Sequence, residues 1–132
     1  MTAADFSDAA LGYARANLDG VCEVVKSDLF SALGDRKFDV IVCNPPYIAS
    51  AVIPTLAPEV RREPVEALDG GADGLDFYRR LAIEAPAHLQ EGGLLLLEIG
   101  YDQGESVPAL FSGKKAEVFK DYGGHDRIVV IS

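Results

Sequence analysis

The chain has 132 residues and a mass of 14.1 kDa, one domain's worth with room for a real core. Apolar residues make up 48% and charged residues 25%, which excludes wholesale disorder. A balance of 12 Lys and Arg against 21 Asp and Glu leaves −9, which argues against a protein that grips nucleic acid through its phosphates. Basic residues cluster only in pairs, Arg61-Arg62, Arg79-Arg80 and Lys114-Lys115 among them. The longest apolar run, "GLLLLEIG", is too short to span a bilayer. No basic region followed by an apolar stretch opens the N-terminus, so no signal peptide is visible. Cys22 and Cys43 both lie in apolar runs and read as small buried hydrophobes of a reducing compartment, not as a disulfide or metal pair. No membrane role is expected, and the cytoplasm is the expected location.

In chain order, "SDAALGYARANL" predicts a helix capped by Ser7 or Asp8, with Ala10, Leu11, Ala14 and Leu18 on one stripe and "DG" as a stop. A short strand, "VCEVVKSD", follows, and "FDVIVC" is a continuous apolar strand of the kind buried on both faces. After "NPPY" a proline-punctuated stretch to about residue 70 predicts little regular structure beyond one helical turn. "GLDFYRRLAIEAPAHLQEGG" predicts an amphipathic helix with Leu75, Tyr78, Leu81, Ala82 and Ala85 on its apolar side, closed by Gly92-Gly93. "LLLLEIG" is another buried strand, "QGESVPALFS" a short helix, and "KAEVFKD" and "DRIVVIS" two strands of a terminal hairpin. The whole is one α/β domain over residues 1–132, mostly parallel with a C-terminal antiparallel hairpin. Ligands in such sheets bind beyond the carboxyl ends of the strands, where Asp5, Asp28, Asn44 and Glu98 fall.

"NPPY", Asn44 to Tyr47, is the segment that carries chemistry. A planar NH2 group has a delocalised lone pair and is a poor nucleophile. Two acceptors that take both of its N–H bonds orient the nitrogen and favour the positive charge that develops as it attacks. The Asn44 side-chain oxygen and the Pro45 carbonyl are two such acceptors. Pro45 and Pro46 fix their spacing, and the Tyr47 ring can lie against a planar substrate group. An isolated Pro-Pro often does no more than end a strand. After a buried strand in an α/β pattern, the acceptor reading is the stronger one.

"FDVIVCNPPYI" resembles motif IV of S-adenosylmethionine-dependent methyltransferases that modify planar nitrogens. With "PEVRREPVEALDGGADGLDFYRRL", "GGLLLLEIGYDQGESV" and "DYGGHDRIVV", the chain resembles the release-factor glutamine methyltransferase family (HemK/PrmC) nearly end to end. The resemblance implies methylation of the side-chain amide nitrogen of the glutamine in the Gly-Gly-Gln loop of peptide-chain release factors. It implies S-adenosyl-L-methionine as cofactor, S-adenosyl-L-homocysteine as product, and no metal. Asp5 then matches the acidic residue that holds the cofactor's ribose hydroxyls, although a helix cap is its simpler role. Asp28 and Leu29 match the segment that flanks the adenine. Asn44, Pro45, Pro46 and Tyr47 match the substrate-binding tetrad, with Asn44 also near the cofactor. Arg61 and Arg62 face either a substrate protein or solvent, and no role is assigned to Glu98 beyond lining the site. The alternatives are an adenine-amino methyltransferase on DNA or RNA, which shares "NPPY" but needs a basic groove, and a non-catalytic fragment of the fold.

The family's first strand and its glycine-rich loop have no counterpart in the chain, which is therefore expected to be truncated at its N-terminus. In the strand order the resemblance implies (three-two-one-four-five-seven-six), the missing strand is central. Two outcomes are open: strand three slides across to pair with strand four, or the open edge is covered by a second copy. The dimer is the favoured outcome.

Overall fold

The computed structural model describes all of residues 1–132. The chain divides into two compact units, Met1–Arg36 and Lys37–Ser132.

The first unit is β1 (Thr2–Asp5), helix α1 (Asp8–Leu18) and β2 (Glu23–Lys26). The two strands pair in parallel, from Thr2 opposite Glu23 to Asp5 opposite Lys26. Ser7 is the N-cap: its backbone is extended and its hydroxyl oxygen accepts from the Ala10 N–H at 3.4 Å. Asp8 sits in the first helical turn, favourably placed for the helix dipole, and pairs with Lys26 at 2.6 Å. Leu11 is fully buried, and Ala10, Ala14 and Leu18 on the same stripe are half-buried. The strand is shorter than "VCEVVKSD" suggests because the Val21 and Cys22 N–H groups bond back to the Leu18 carbonyl and belong to the turn.

The second unit runs β3 (Phe38–Cys43), three 3-10 turns (Ile53–Thr55, Val60–Arg62 and Val65–Ala67), α2 (Asp76–His88), β4 (Leu89–Glu98), α3 (Ser106–Ala109), β5 (Ala116–Lys120) and β6 (Asp126–Ile131). Its sheet has the order β3-β4-β6-β5, with β3 and β4 parallel and the other two pairings antiparallel. The core lies on one face of that sheet. Leu95 opposes Ile131 and Leu97 opposes Val129, and all four are buried. Tyr78, Leu81 and Ala85 form the buried stripe of α2, three and four residues apart. Val107 of α3 is fully buried as well. Each fully buried leucine is worth about 1.5–3 kcal/mol of removed apolar surface.

The strand neighbours follow the order the resemblance implied. β1 and β2 stand as strands two and three, and β3 to β6 as four to seven. The pairs two-three, four-five, five-seven and seven-six are all formed.

Two local expectations are corrected. "FDVIVC" is not buried on both faces: Val40 is 52% and Val42 75% exposed, because β3 is an edge strand with a single partner. Gly92-Gly93 does not close α2 either. The helix ends at His88 and runs straight into β4, whose register slips between Phe38 opposite Leu89 and Val40 opposite Leu94. Gly92, at φ +74°, absorbs that bulge in a left-handed conformation.

Candidate active site

In the first unit, the ends of the two parallel strands bring Asp5 and the Ser27–Leu29 turn side by side. The Ser27 N–H bonds to the Asp5 carbonyl at 2.9 Å. One Asp5 carboxylate oxygen accepts from the Ser7 N–H at 2.7 Å and so fixes the entry to α1. The other makes no hydrogen bond in the chain. The helix entry thus occupies one oxygen of the carboxylate and leaves the other uncommitted, with Ser7 as the cap proper.

Beyond it, the backbone of Leu29 turns left-handed, φ +47°, the only such non-glycine residue in the chain. Ser27 holds that turn. Its buried hydroxyl donates to the Leu29 carbonyl at 2.8 Å and accepts from the Ala32 N–H at 3.0 Å. The Asp28 N–H donates to the Ser31 hydroxyl at 3.2 Å. Asp28 is exposed and Leu29 half-buried.

In the second unit, Asn44 to Tyr47 leave the carboxyl end of β3. Asn44 is exposed and its side chain makes no hydrogen bond within the chain, whereas Pro45 is buried and Pro46 and Tyr47 are half-buried. The segment is braced by the loop around "LDGGADG". The Ile48 N–H donates to the Leu68 carbonyl at 3.0 Å, the Gly70 N–H to the Ile48 carbonyl at 2.8 Å, and the Ser50 N–H to the Gly71 carbonyl at 2.9 Å. The approach is close enough to require glycine. A Cβ on Gly70 would lie 2.9 Å from the Pro46 carbonyl oxygen, and one on Gly74, at φ +76°, would collide with the Tyr47 carbonyl. Asp69 locks the loop by accepting from the Ser50 hydroxyl at 2.7 Å and the Gly71 N–H at 2.9 Å, bonds that lower its carboxyl pKa.

Glu98, at the carboxyl end of β4, acquires a part in this arrangement. Its carboxylate accepts from the Tyr47 hydroxyl at 3.4 Å, and its backbone carbonyl from the Tyr78 hydroxyl at 2.7 Å. Burial pushes the Tyr47 hydroxyl pKa up, the Glu98 carboxylate adds to that, and the Arg127 guanidinium opposes it. Burial also drives the Cys43 thiol from 9.0 up to about 11. Neither group is ionised near neutral pH.

Of the residues singled out in the sequence, the structure therefore assembles two groups, Asp5 with Asp28 and Leu29, and Asn44 to Tyr47 with Glu98. Arg61 and Arg62 are exposed on the second 3-10 turn, and their side chains make no hydrogen bond or ion pair. His125 lies in the β5–β6 hairpin with its ring edge-on to Tyr101. Sequence reasoning gave no role to Gly70, Gly74 or Gln103, which pack against the tetrad. The signal was present in the glycine spacing of "GGADG" and in a glutamine set among apolar residues, but it did not name their partner.

The family model for the methyltransferase small domain matches residues 1–71. The chain belongs to that family. It is similar to the release factor glutamine methyltransferase of Caulobacter vibrioides, with 47% identity over 135 residues, covering 96% of this chain and 47% of that protein. A solved methyltransferase from Pyrococcus furiosus superposes with a TM-score of 0.71 at 22% identity, over 98% of this chain and 60% of that one, a likeness of fold. The release-factor-specific protein-(glutamine-N5) methyltransferase of Alicyclobacillus acidocaldarius gives a TM-score of 0.52 at 26% identity, over 98% of this chain and 77% of that one. The chain spans about half the length of the curated relatives it matches.

Gly74→Ala should destabilise the second unit clearly more than Gly113→Ala. Both positions have positive φ, worth about 1–2 kcal/mol for an added Cβ, but only Gly74 also faces a carbonyl oxygen, while Gly113 faces open space. Urea unfolding of the two variants checks this, and equal losses would remove the case for close approach at residue 74. Raised pKa values stabilise the fold below the unfolded-state pKa and stop doing so as pH climbs through the folded one. Stability should therefore fall between pH 9.0 and about 11, and Cys43→Ala should flatten the early part of that fall. The later part should persist, since burial also raises the Tyr78 hydroxyl. Chemical unfolding followed across alkaline pH measures both parts.

Proposed function

We propose that the whole protein is a protein-glutamine N-methyltransferase. Its substrate would be the side-chain amide nitrogen of the glutamine in the Gly-Gly-Gln loop of a peptide-chain release factor. Residues 1–132 would form part of one methyltransferase domain. The observation that carries this reading is the Asn44 side chain, exposed and without a partner at the head of a stiff, braced segment. Its oxygen and the Pro45 carbonyl can each accept one N–H of a planar amide. Both acceptors are neutral, and they favour the charge that builds on the nitrogen as it forms its new bond to carbon. The proton leaves afterwards, so no side chain has to act as a base first, consistent with Tyr47 and Cys43 both being held protonated. The Tyr47 ring, anchored through its hydroxyl to Glu98, would back the amide plane.

The first unit fits the adenosine half of S-adenosyl-L-methionine. The uncommitted Asp5 oxygen can accept from the ribose hydroxyls, Asp28 from the exocyclic amine, and Leu29 can cover the ring. When bound, that cofactor supplies a methyl group on a cationic sulfur and leaves as S-adenosyl-L-homocysteine. No helix of the chain is long and apolar enough to cross a membrane, and we place the protein in the cytoplasm, where release factors work.

Methyl transfer from radiolabelled cofactor to a release factor, with adenine-containing DNA and RNA as parallel substrates, tests the reading. Label in nucleic acid alone would overturn it in favour of an adenine-amino methyltransferase, and no label in any substrate would favour a non-catalytic role. Asn44→Ala should lower turnover by about 100-fold or more, the scale for losing one hydrogen bond made in the transition state. Its melting temperature should stay where it was, because the replaced side chain holds nothing in the fold.

We further propose that these 132 residues on their own self-associate through the free edge of β3, where Val40 and Val42 are exposed. Sedimentation across a dilution series should show dimer giving way to monomer. A 14.1 kDa monomer at every concentration would exclude that.

A further inference from the structure

Gln103 is a polar side chain in a place that favours apolar ones. It is 7% exposed, in the connection between β4 and α3. Its polar atoms are nonetheless satisfied. The side-chain oxygen Oε1 accepts from the Gly100 N–H at 2.9 Å, and the nitrogen Nε2 donates to two carbonyls, Tyr47 at 3.1 Å and Gly74 at 3.2 Å. The partners fix which way the amide points. Turned over, it would set an oxygen against two carbonyl oxygens and an NH2 against an N–H. Gln103 is itself held in place, since its N–H donates to the Gly100 carbonyl at 3.0 Å and its carbonyl accepts from the Val107 N–H at 3.1 Å.

We propose that Gln103 is the positioning residue of the tetrad, setting the direction of the Pro45 carbonyl by clamping the carbonyl of Tyr47. This rests on the acceptor role argued above for Asn44 and Pro45. The segment is anchored at its start by β3, where Cys43 pairs with Leu97 of β4, and at its end by Gln103. Between the anchors the φ angles of Pro45 and Pro46 are fixed by their rings, so few soft dihedrals remain. Fixing the Tyr47 peptide therefore fixes the Pro45 carbonyl. The Ile48 N–H shares that peptide plane and donates to the Leu68 carbonyl, so the plane is held from two sides, by Leu68 on its N–H and by Gln103 on its carbonyl, and the bonds of Ile48 do not involve Gln103. Loss of Gln103 should thus leave that plane held on its N–H side alone, free to pivot about the Leu68 bond, without unfolding the loop that braces it.

Two variants of the whole protein separate positioning from bulk stability. Gln103→Met removes every polar atom. Gln103→Glu keeps the acceptor for Gly100 but, when ionised, sets a carboxylate against the Tyr47 and Gly74 carbonyls. When protonated it regains one donor. Both should lower kcat by about 10- to 100-fold, the cost of a small misplacement of reacting groups, with KM for the cofactor little changed. The deficit of Gln103→Glu should narrow as pH falls, and that of Gln103→Met should not. Hydrogen exchange followed by mass spectrometry should quicken over residues 47–50 in both variants, quicken at Gly100 only in Gln103→Met, and stay unchanged in α2.

The proposal is overturned if folded variants keep kcat within about twofold of the parent. It is also overturned if exchange rises everywhere together, which marks a merely structural residue. Should the parent transfer no methyl group to any substrate, the functional reading fails, and exchange alone decides. Local quickening at residues 47–50 would still support the clamp, and unchanged exchange there would overturn it.

Discussion

Two consecutive prolines donate no backbone hydrogen bond, and the organisation around the second unit's sheet follows from that constraint. A segment that cannot reach out with its own N–H groups has to be gripped through its carbonyls and through the residues after it. Donors therefore come from elsewhere: the Gln103 amide to Tyr47 and the Gly70 N–H to Ile48. Carbonyls leave room only for a bare backbone beside them, so the bracing loop has glycine at residues 70 and 74. What the prolines withhold in donors they return in stiffness, and the acceptor groups stay unencumbered where a ligand's N–H groups could meet them.

Most of the fold was legible because its signals are local. The α1 cap at Ser7, the limits of β3 and the terminal hairpin follow from capping chemistry, apolar continuity and a glycine turn, all within a few residues of chain. The readings that failed depended on neighbours. "FDVIVC" has the composition of a doubly buried strand, but burial requires a partner on each side, and β3 pairs only with β4. Gly92-Gly93 has the look of a helix stop, yet tertiary pairing with Phe38 draws Leu89 into the strand and turns the glycines into a bulge.

The candidate site divides in the same way. Asp5, Asp28 and Asn44 could be picked out because strand ends mark where ligands gather, and a strand end is readable from sequence. Their supports could not. Gln103 ties Tyr47 and Gly74 from 56 and 29 positions away along the chain, and Tyr47 meets Glu98 across 51. No periodicity encodes such distances. Asp5 shows how one local signal carries two readings, since the same carboxylate ties the chain entering α1 with one oxygen and leaves the other uncommitted.

The acceptors themselves are of a kind that costs the fold little. A carboxylate in the place of Asn44 would attract the NH2 group of an amide more strongly, but it would also attract ammonium groups and water, and it would titrate. A neutral side-chain amide and a proline carbonyl hold their character at every physiological pH, and in the proposed role they would discriminate by geometry, accepting two N–H bonds that lie in one plane. Geometry of that kind is useful only if it is rigid. Carboxylates are instead placed behind the tetrad: Glu98 against the Tyr47 hydroxyl and Asp69 against the loop backbone, where their charge stiffens the frame. The proposed amide-recognition surface of the second unit is thus built from neutral groups, and the carboxylates behind it brace the frame.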